Sequence, residues 1–279
     1  MGNHALDLNP PNAQLHISTH GSDWLWSVFS FTAFVLLVVI GLSFVRPRGT
    51  RLFHNLAIIV LTATSIAYFS MASDLGATPI ATEFRDSGDG ETRQIWYVRY
   101  IQWFISFPLV LLSVLLTTGL SLSDITTTLF MSEVVVISGL VGALVHSTYK
   151  WGYFAFGATA LLYIWYVSYS LLVNGPRTAF PGAGAFKTGY WLSAGYLSFM
   201  LITYPICWAC SEGSNIITPT SEMIWYGILD LLTGPIFLVF FLFQLRTVDY
   251  EAFGFASGKF SETSAPAPRP TKAQEAGAV

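Results

Sequence analysis

The residues most able to do chemistry in this sequence are polar groups set inside long apolar runs. The run ILDLLTGPIF contains Asp230, and Gly234 and Pro235 follow it about one helical turn later. A carboxylate at membrane depth is energetically costly, so it usually marks a functional site. In a helix interior, the glycine leaves a gap and the proline removes a backbone hydrogen bond. The pattern therefore indicates a working site with open space beside it.

A second polar set lies in the earlier run RQIWYVRYIQWFISFPLVLL. Arg99, Gln102 and Ser106 are spaced at i, i+3 and i+7, so they share one face of a helix. Because a buried arginine or aspartate alone carries a large desolvation cost, we expect Arg99 to pair with Asp230. Such a pair is either purely structural or part of a functional site, and the residues alone leave both alternatives open.

Aromatic residues accompany these polar groups. Tyr204, Pro205 and Trp208 lie in the run TYPICWACSEG, and Trp103 and Phe107 flank the polar face of the earlier run. Aromatic residues at helical spacing more often serve in packing, whereas their recurrence in two runs adds support for the wall of a pocket, so both alternatives stay open.

Two carboxylates and two cysteines receive simpler interpretations. We expect Glu212 and Glu222, near the ends of the later runs, to be exposed loop carboxylates. Cys207 and Cys210 have the C-x-x-C spacing of some redox pairs, but their apolar run lacks the strand–helix–strand pattern of a redox domain. We interpret them as small side chains on one helix. The sequence predicts neither a metal site nor an enzyme.

The elements that must position these residues are membrane-spanning helices. Hydrophobic residues make up 53% of the 279 residues and charged residues only 10%, whereas soluble domains carry about 25% charged residues. Seven apolar runs reach the roughly 20 residues that a spanning helix needs, so we predict an all-α membrane protein. The net charge of −3 gives no indication of a nucleic-acid partner. The predicted spans are 24–45, 53–73, 94–116, 122–146, 151–173, 187–210 and 220–246.

Loop charges predict the orientation of the chain. With the N-terminus outside, the inner segments hold nine of the 13 Lys and Arg residues and the outer segments hold three. Because positive residues accumulate on the cytoplasmic side, we predict an outside N-terminus and a cytoplasmic C-terminus. The predicted parts are an extracellular segment (1–22), a seven-helix domain (23–250) and a disordered tail (251–279). In the longest outer loop, residues 87–90 form either a hairpin turn or part of a flexible loop.

The third run with RQIWYVRYIQWFISFPLVLL, the sixth with TYPICWACSEG and the seventh with ILDLLTGPIF together resemble the microbial rhodopsin family, and within it the fungal opsins. The resemblance covers about residues 24–250 and implies a seven-helix bundle of the microbial rhodopsin type. In that family, retinal forms a Schiff base with a lysine one helical turn after a conserved aspartate. Here Asp230 occupies the aspartate position and Gly234 occupies the lysine position.

The resemblance also indicates that features of a light-driven pump are missing. No lysine lies between Lys187 and Lys259, and only a primary amine forms the Schiff base, so we expect no covalently bound retinal. Gln102 stands where pumps carry the carboxylate that accepts the Schiff-base proton, and Ser113 stands where many carry the group that returns it. A neutral amide cannot accept and hold a proton near neutral pH.

By the same resemblance, the former retinal site is a vestigial pocket. Glu212 and Glu222 match the outer proton-release carboxylates of the family, while Leu201 and Phe154 replace tryptophans that pumps usually carry. The implied pocket residues are Tyr68, Arg99, Tyr100, Gln102, Trp103, Ser106, Pro108, Leu201, Tyr204, Pro205, Trp208, Asp230 and Gly234.

The sequence is similar to the lysine-less opsin-related proteins of fungi, which include the yeast plasma-membrane heat-shock opsin-like proteins. This similarity implies a non-photochemical, non-enzymatic role in stress at the plasma membrane, either chaperone-like or as a regulator of the plasma-membrane proton ATPase. Membrane lipids and further copies of the same chain are the other implied partners. One alternative is a sensor that binds retinal or a lipid non-covalently. Another is a passive ion channel or transporter with Arg99, Gln102 and Asp230 as its polar track.

Overall fold

The computed structural model describes residues 3–83, 91–173, 187–248 and 250. Within these ranges the chain forms a bundle of long helices, a short N-terminal helix and a two-stranded sheet. The helices are α1 (His4–Leu8), α2 (Thr19–Val45), α3 (Leu52–Ala72), α4 (Tyr97–Leu115), α5 (Leu122–Leu144), α6 (Lys150–Val173), α7 (Lys187–Trp208), α8 (Pro219–Leu231) and α9 (Phe237–Gln244). Two 3-10 turns, Arg48–Thr50 and Leu245–Thr247, flank the bundle helices.

Two π-helical segments extend the last helices beside the polar residues. Ala209–Gly213 continues α7, and Leu232–Ile236 joins α8 to α9 around Pro235. Because proline lacks a backbone N–H, a wider turn is one way for a helix to continue past it. The Gly234–Pro235 pair therefore widens the last helical segment without ending it.

Six of the described helical segments are long and apolar enough to cross a membrane, and α6, with 24 residues, matches the fifth predicted span. Two predicted starts are wrong. The first helix begins at Thr19 and not at 24, because Ser18 caps it by accepting a hydrogen bond from the Gly21 backbone N–H at 3.3 Å. The third begins at Tyr97 and not at 94, because the preceding residues form a strand.

A small sheet lies between α3 and α4. Strands β1 (Thr78–Ala81) and β2 (Thr92–Ile95) pair antiparallel, and Leu15 adds a parallel bridge beside Arg93. The backbone N–H of Leu15 donates to Thr92 O at 2.8 Å, so the N-terminal segment is held against this hairpin. The predicted turn at 87–90 and the predicted tail at 251–279 lie outside the described residues.

An apolar core joins the helices in the half of the bundle away from the sheet. Val39, Leu61, Leu111, Leu197 and Phe237 belong to one buried cluster that spans α2, α3, α4, α7 and α9. Helices in lipid associate mainly through close packing and hydrogen bonds between them. This packing fixes the relative positions of α4, α7 and α8–α9, the three segments that carry the polar residues.

One glycine permits an unusually close approach between helices. A Cβ at Gly227 of α8 would lie 3.1 Å from Cε2 of Trp24 on α2 and closer still to its indole nitrogen. Gly41 of α2 is different, since no atom lies within 4 Å of its Cβ position. Both glycines are inside helices, so they form a matched pair for testing this contact.

We expect Gly227→Ala to lower the free energy of unfolding by about 1–3 kcal/mol, because the added methyl group overpacks the α2–α8 contact. Gly41→Ala should leave stability unchanged or raise it slightly, since alanine is the better helix former. Thermal unfolding of the two purified variants measures the difference. Equal melting temperatures would contradict the close contact between α2 and α8.

Candidate functional site

Asp230 lies on α8 at the centre of a set of neutral hydrogen-bond donors. Its side chain is 4% exposed. Oδ1 accepts from the Trp103 indole N–H at 3.0 Å and from the Tyr204 hydroxyl at 2.7 Å, while Oδ2 accepts from the Tyr68 hydroxyl at 2.7 Å. A carboxylate with two oxygens has about four acceptor positions, and these donors fill three of them. The site therefore holds a carboxylate by hydrogen bonds from uncharged groups.

Arg99 is bound to a different pair of carboxylates. Its Nη2 atom lies 2.5 Å from Glu222 Oε1 and 3.0 Å from Glu212 Oε1, and all three side chains are buried. The guanidinium carbon also lies 4.1 Å from the ring centre of Tyr226. Charge-assisted hydrogen bonds of this kind are about twice as strong as neutral ones.

Arg93 of β2 completes this group, which we call the ion cluster and define as Arg93, Arg99, Glu212 and Glu222. Arg93 Nη2 lies 2.5 Å from Glu222 Oε2, and its Nη1 donates to Ile217 O at 2.7 Å. The Tyr100 hydroxyl donates to Glu212 Oε2 at 2.6 Å. The ion cluster therefore contains two guanidinium groups and two carboxyl groups in mutual contact.

The predicted Arg99–Asp230 ion pair is wrong. Arg99 lies in the first turn of α4, level with Glu222 in the first turn of α8. Asp230 follows Glu222 by eight residues, which is about 12 Å along a helix at 1.5 Å per residue. The arginine therefore pairs with the carboxylates at its own level, and the aspartate is satisfied by neutral donors.

The expectation that Glu212 and Glu222 are exposed is also wrong, because Glu212 is 2% exposed and Glu222 is 0% exposed. Thr218 caps α8 and Pro219 occupies its first turn, so Glu222 starts a helix that packs inside the bundle. Arg93 then covers it from the sheet.

A cavity of about 130 Å³ lies between α3, α4, α5, α6, α7 and the α8–α9 segment. Asp230 and Gly234 line one part of it, and an ideal Cβ at Gly234 would meet no atom within 4 Å. Most of the remaining wall is apolar or aromatic. Among the described residues, the lining contains no lysine, so it offers no primary amine.

The structure brings most of the predicted pocket residues together on this wall. Tyr68 reaches the site only through its bond to Asp230, Arg99 belongs to the ion cluster, and Pro108 is not part of the lining. The predicted residues that do line the cavity are Tyr100, Gln102, Trp103, Ser106, Leu201, Tyr204, Pro205, Trp208, Asp230 and Gly234.

Sequence reasoning missed several residues of the two sites. Thr64 accepts a hydrogen bond from Gln102 Nε2 at 3.2 Å, and Thr233 bonds to the Tyr204 hydroxyl at 2.7 Å. Arg93 is one of the three positive residues that the orientation prediction assigns to the outer segments, but the structure buries it in the ion cluster. Thr64 and Thr233 could have been found from the sequence, since each is a polar residue inside an apolar run. The burial of Arg93 could not, because it depends on the sheet.

We expect Glu222→Gln to lower the free energy of unfolding by about 3–5 kcal/mol, because two buried guanidinium groups lose a shared carboxylate. The control is Glu83→Gln, which removes a partly exposed carboxylate 3.8 Å from Lys150; it should cost less, because one cation is affected and its Nζ keeps Glu212 O at 3.5 Å. Thermal unfolding of both variants in the same detergent measures the effect. If the two variants lose the same free energy of unfolding, the ion cluster contributes no more to stability than the contact between Glu83 and Lys150 does.

The chain matches the family model described as bacteriorhodopsin-like protein over residues 18–248. It is 66% identical to Protein FDD123 of Trametes versicolor, with 100% of this chain and 96% of that protein covered. It is 37% identical to the 30 kDa heat shock protein of Saccharomyces cerevisiae, with 86% of this chain and 77% of that protein covered.

Among solved structures, the light-driven proton pump LR (Mac) from Leptosphaeria maculans superposes with a TM-score of 0.77 at 26% identity, covering 85% of this chain and 98% of that chain. The predicted seven-helix bundle of the microbial rhodopsin type is therefore confirmed, as is the predicted likeness to fungal opsin-related proteins. The chain is an integral membrane protein and belongs to the bacteriorhodopsin-like protein family.

Proposed function

We propose that this protein is a non-photochemical, non-enzymatic opsin-related protein of the plasma membrane that acts in the response to stress. The observation that carries the proposal is Gly234, which stands in the cavity where the resemblance requires a lysine. Only a primary amine makes a Schiff base with retinal. The two lysines among the described residues do not substitute: Lys150 lies near the ion cluster, where its Nζ is 3.5 Å from Glu212 O, and Lys187 begins α7.

The remaining polar groups also favour a role without proton transport. Gln102, at the position of the proton acceptor of pumps, is a neutral amide that donates to Thr64. In the ion cluster, each carboxylate contacts a guanidinium and each guanidinium contacts a carboxylate. Such mutual pairing supports a structural role at this end of the bundle, since releasing one partner leaves another charge buried alone.

The stress-associated part of the proposal rests on the similarity to the yeast 30 kDa heat shock protein. We propose that the protein acts through contacts in the membrane, either as a chaperone-like partner or by restraining the plasma-membrane proton ATPase. Membrane lipids and further copies of this chain are the other partners of the proposal. The outside N-terminus and cytoplasmic C-terminus remain predictions from loop charge.

A second candidate function is the non-covalent binding of an apolar ligand, such as retinal or a lipid. The observation that favours it is the cavity of about 130 Å³ with its apolar and aromatic wall. The channel alternative has less support, because Arg99 is bonded to Glu212 and Glu222 and does not line the cavity. Its polar track is therefore interrupted at Arg99.

We expect no strongly red-shifted visible absorbance band when the purified protein is incubated with all-trans retinal and washed. The double variant Gly234→Lys/Gln102→Asp restores an amine and a carboxylate and should form a partial pigment, because Leu201 and Phe154 still differ from the pocket of pumps. Absorbance spectra before and after washing measure both. A washed wild-type protein with a red-shifted band would overturn the non-photochemical proposal.

We expect expression of this chain in yeast cells that lack the 30 kDa heat shock protein to reduce plasma-membrane proton ATPase activity after heat shock, relative to an empty vector. The activity should be the same in light and darkness, with or without added retinal. Gly234→Lys should behave like the wild type, whereas Glu222→Gln should fail with its loss of folded protein. Unchanged ATPase activity and unchanged heat survival would contradict the stress-associated proposal.

A further inference from the structure

Asp230 is the one formally charged residue among the described residues that line the cavity. The nearest arginine does not neutralise it by direct contact, because Arg99 is bound to Glu212 and Glu222. The contacts between the two groups pass through Trp103, whose ring centre lies 5.4 Å from the Arg99 guanidinium and whose indole N–H donates to Asp230. The cavity therefore presents a carboxylate without a cation of its own.

Two further residues of the cavity wall each have a buried polar atom without a hydrogen-bond partner among the described residues. Gln102 Oε1 and Ser106 Oγ are buried, both residues line the cavity, and neither atom has a hydrogen bond among the described residues. Gln102 uses its other terminal atom, Nε2, to donate to Thr64. An amide oxygen only accepts hydrogen bonds, so Gln102 requires a donor. Asp230 also has acceptor capacity left on Oδ2 beside the Tyr68 hydroxyl.

Space for such a donor exists in the cavity, one helical turn beyond Asp230. Apart from its two chain neighbours and the backbone of its own helix, no atom lies within 4 Å of the Cβ position of Gly234, one turn beyond Asp230. The whole cavity of about 130 Å³ is close in size to the apolar cavity of about 150 Å³ that is known to take up benzene in another protein. The room and the wall therefore suit a small apolar group with a hydrogen-bond donor at one end.

We infer that this cavity is a binding site for an apolar primary amine, held non-covalently with its ammonium group at the Gly234 space. The ammonium donates to Asp230 and to Gln102 Oε1, and the apolar part packs against aromatic and aliphatic residues such as Trp208 and Leu201. An ammonium has three donors and supplies the positive charge that would balance the Asp230 carboxylate. A hydroxyl has one donor and no charge. No bond forms or breaks on binding.

This inference deepens the second candidate function and rests on it, because it names the class of ligand that the cavity takes. It is independent of the stress-associated proposal. It also differs from covalent retinal binding, since the ligand brings the amine and the protein supplies only acceptors and apolar contacts.

The test uses benzylamine, benzyl alcohol and toluene, which share a ring but differ in the end group. Each is titrated against the full-length protein in nanodiscs at neutral pH, with empty nanodiscs as the blank, and binding is followed by calorimetry and by melting temperature. We expect benzylamine to bind at least about tenfold more tightly than benzyl alcohol, which corresponds to about 1.4 kcal/mol. Equal affinity of the amine and the alcohol would overturn the inference.

Two variants locate the site. Gly234→Leu fills the open space without meeting a neighbouring atom at its Cβ, so it should fold and lose the binding of all three compounds. Gly41→Leu is the matched control, since its Cβ position is equally open, and it should bind like the wild type. Gln102→Leu should keep toluene binding and lose most of the preference for the amine. Benzylamine binding that survives Gly234→Leu would overturn the proposed location.

The outcomes distinguish the amine inference from the apolar-ligand proposal on which it rests. If toluene and benzyl alcohol bind in a manner that Gly234→Leu abolishes, but benzylamine has no advantage, the amine inference fails and the apolar-ligand proposal stands. If none of the three compounds binds above the empty nanodiscs, both fail.

Discussion

The buried guanidinium of Arg99 constrains the assembly of one end of the bundle. It lies in the first turn of α4 and is 0% exposed, so its charge must be met by carboxylates brought from elsewhere in the chain. Glu212 comes from the segment after α7 and Glu222 from the start of α8. Those three segments therefore meet at one point, where Arg93 and Tyr100 also bind the same two carboxylates.

Two carboxylates around one guanidinium would leave excess negative charge, and Arg93 supplies the second cation. The strand that carries Arg93 pairs with β1 and is bridged by Leu15 from the N-terminal segment. The sheet and the first residues of the chain are thereby tied to the ion cluster. Because Arg99 is bound there, Asp230 receives neutral donors only, and the acceptors of the cavity are left to other partners.

The sequence predicted the helices better than the contacts between them. Apolar runs of sufficient length identify spanning helices because hydrocarbon thickness sets a minimum length. Ten of the residues that line the cavity followed from the resemblance, because a family motif specifies where each of its residues lies on its helix. The predicted Arg99–Asp230 pair was wrong because the rule that buried opposite charges pair does not consider how deep each residue lies along its helix. The helical rise between Glu222 and Asp230 places the two carboxylates at different depths. The burial of Arg93 depends on pairing with Leu15, 78 positions earlier, which no local pattern reports.

Two glycines of the last helical segment show how differently the same residue is used. Gly227 is small because Trp24 occupies the space where a side chain would stand, so helix packing explains it. Gly234 has no such neighbour, and helix packing gives no reason for the absence of a side chain there. In a helix, glycine costs about 1 kcal/mol relative to alanine, and here alanine would fit. Unlike the equally open position of Gly41, the position of Gly234 lines the cavity, so the small residue at 234 leaves space beside Asp230.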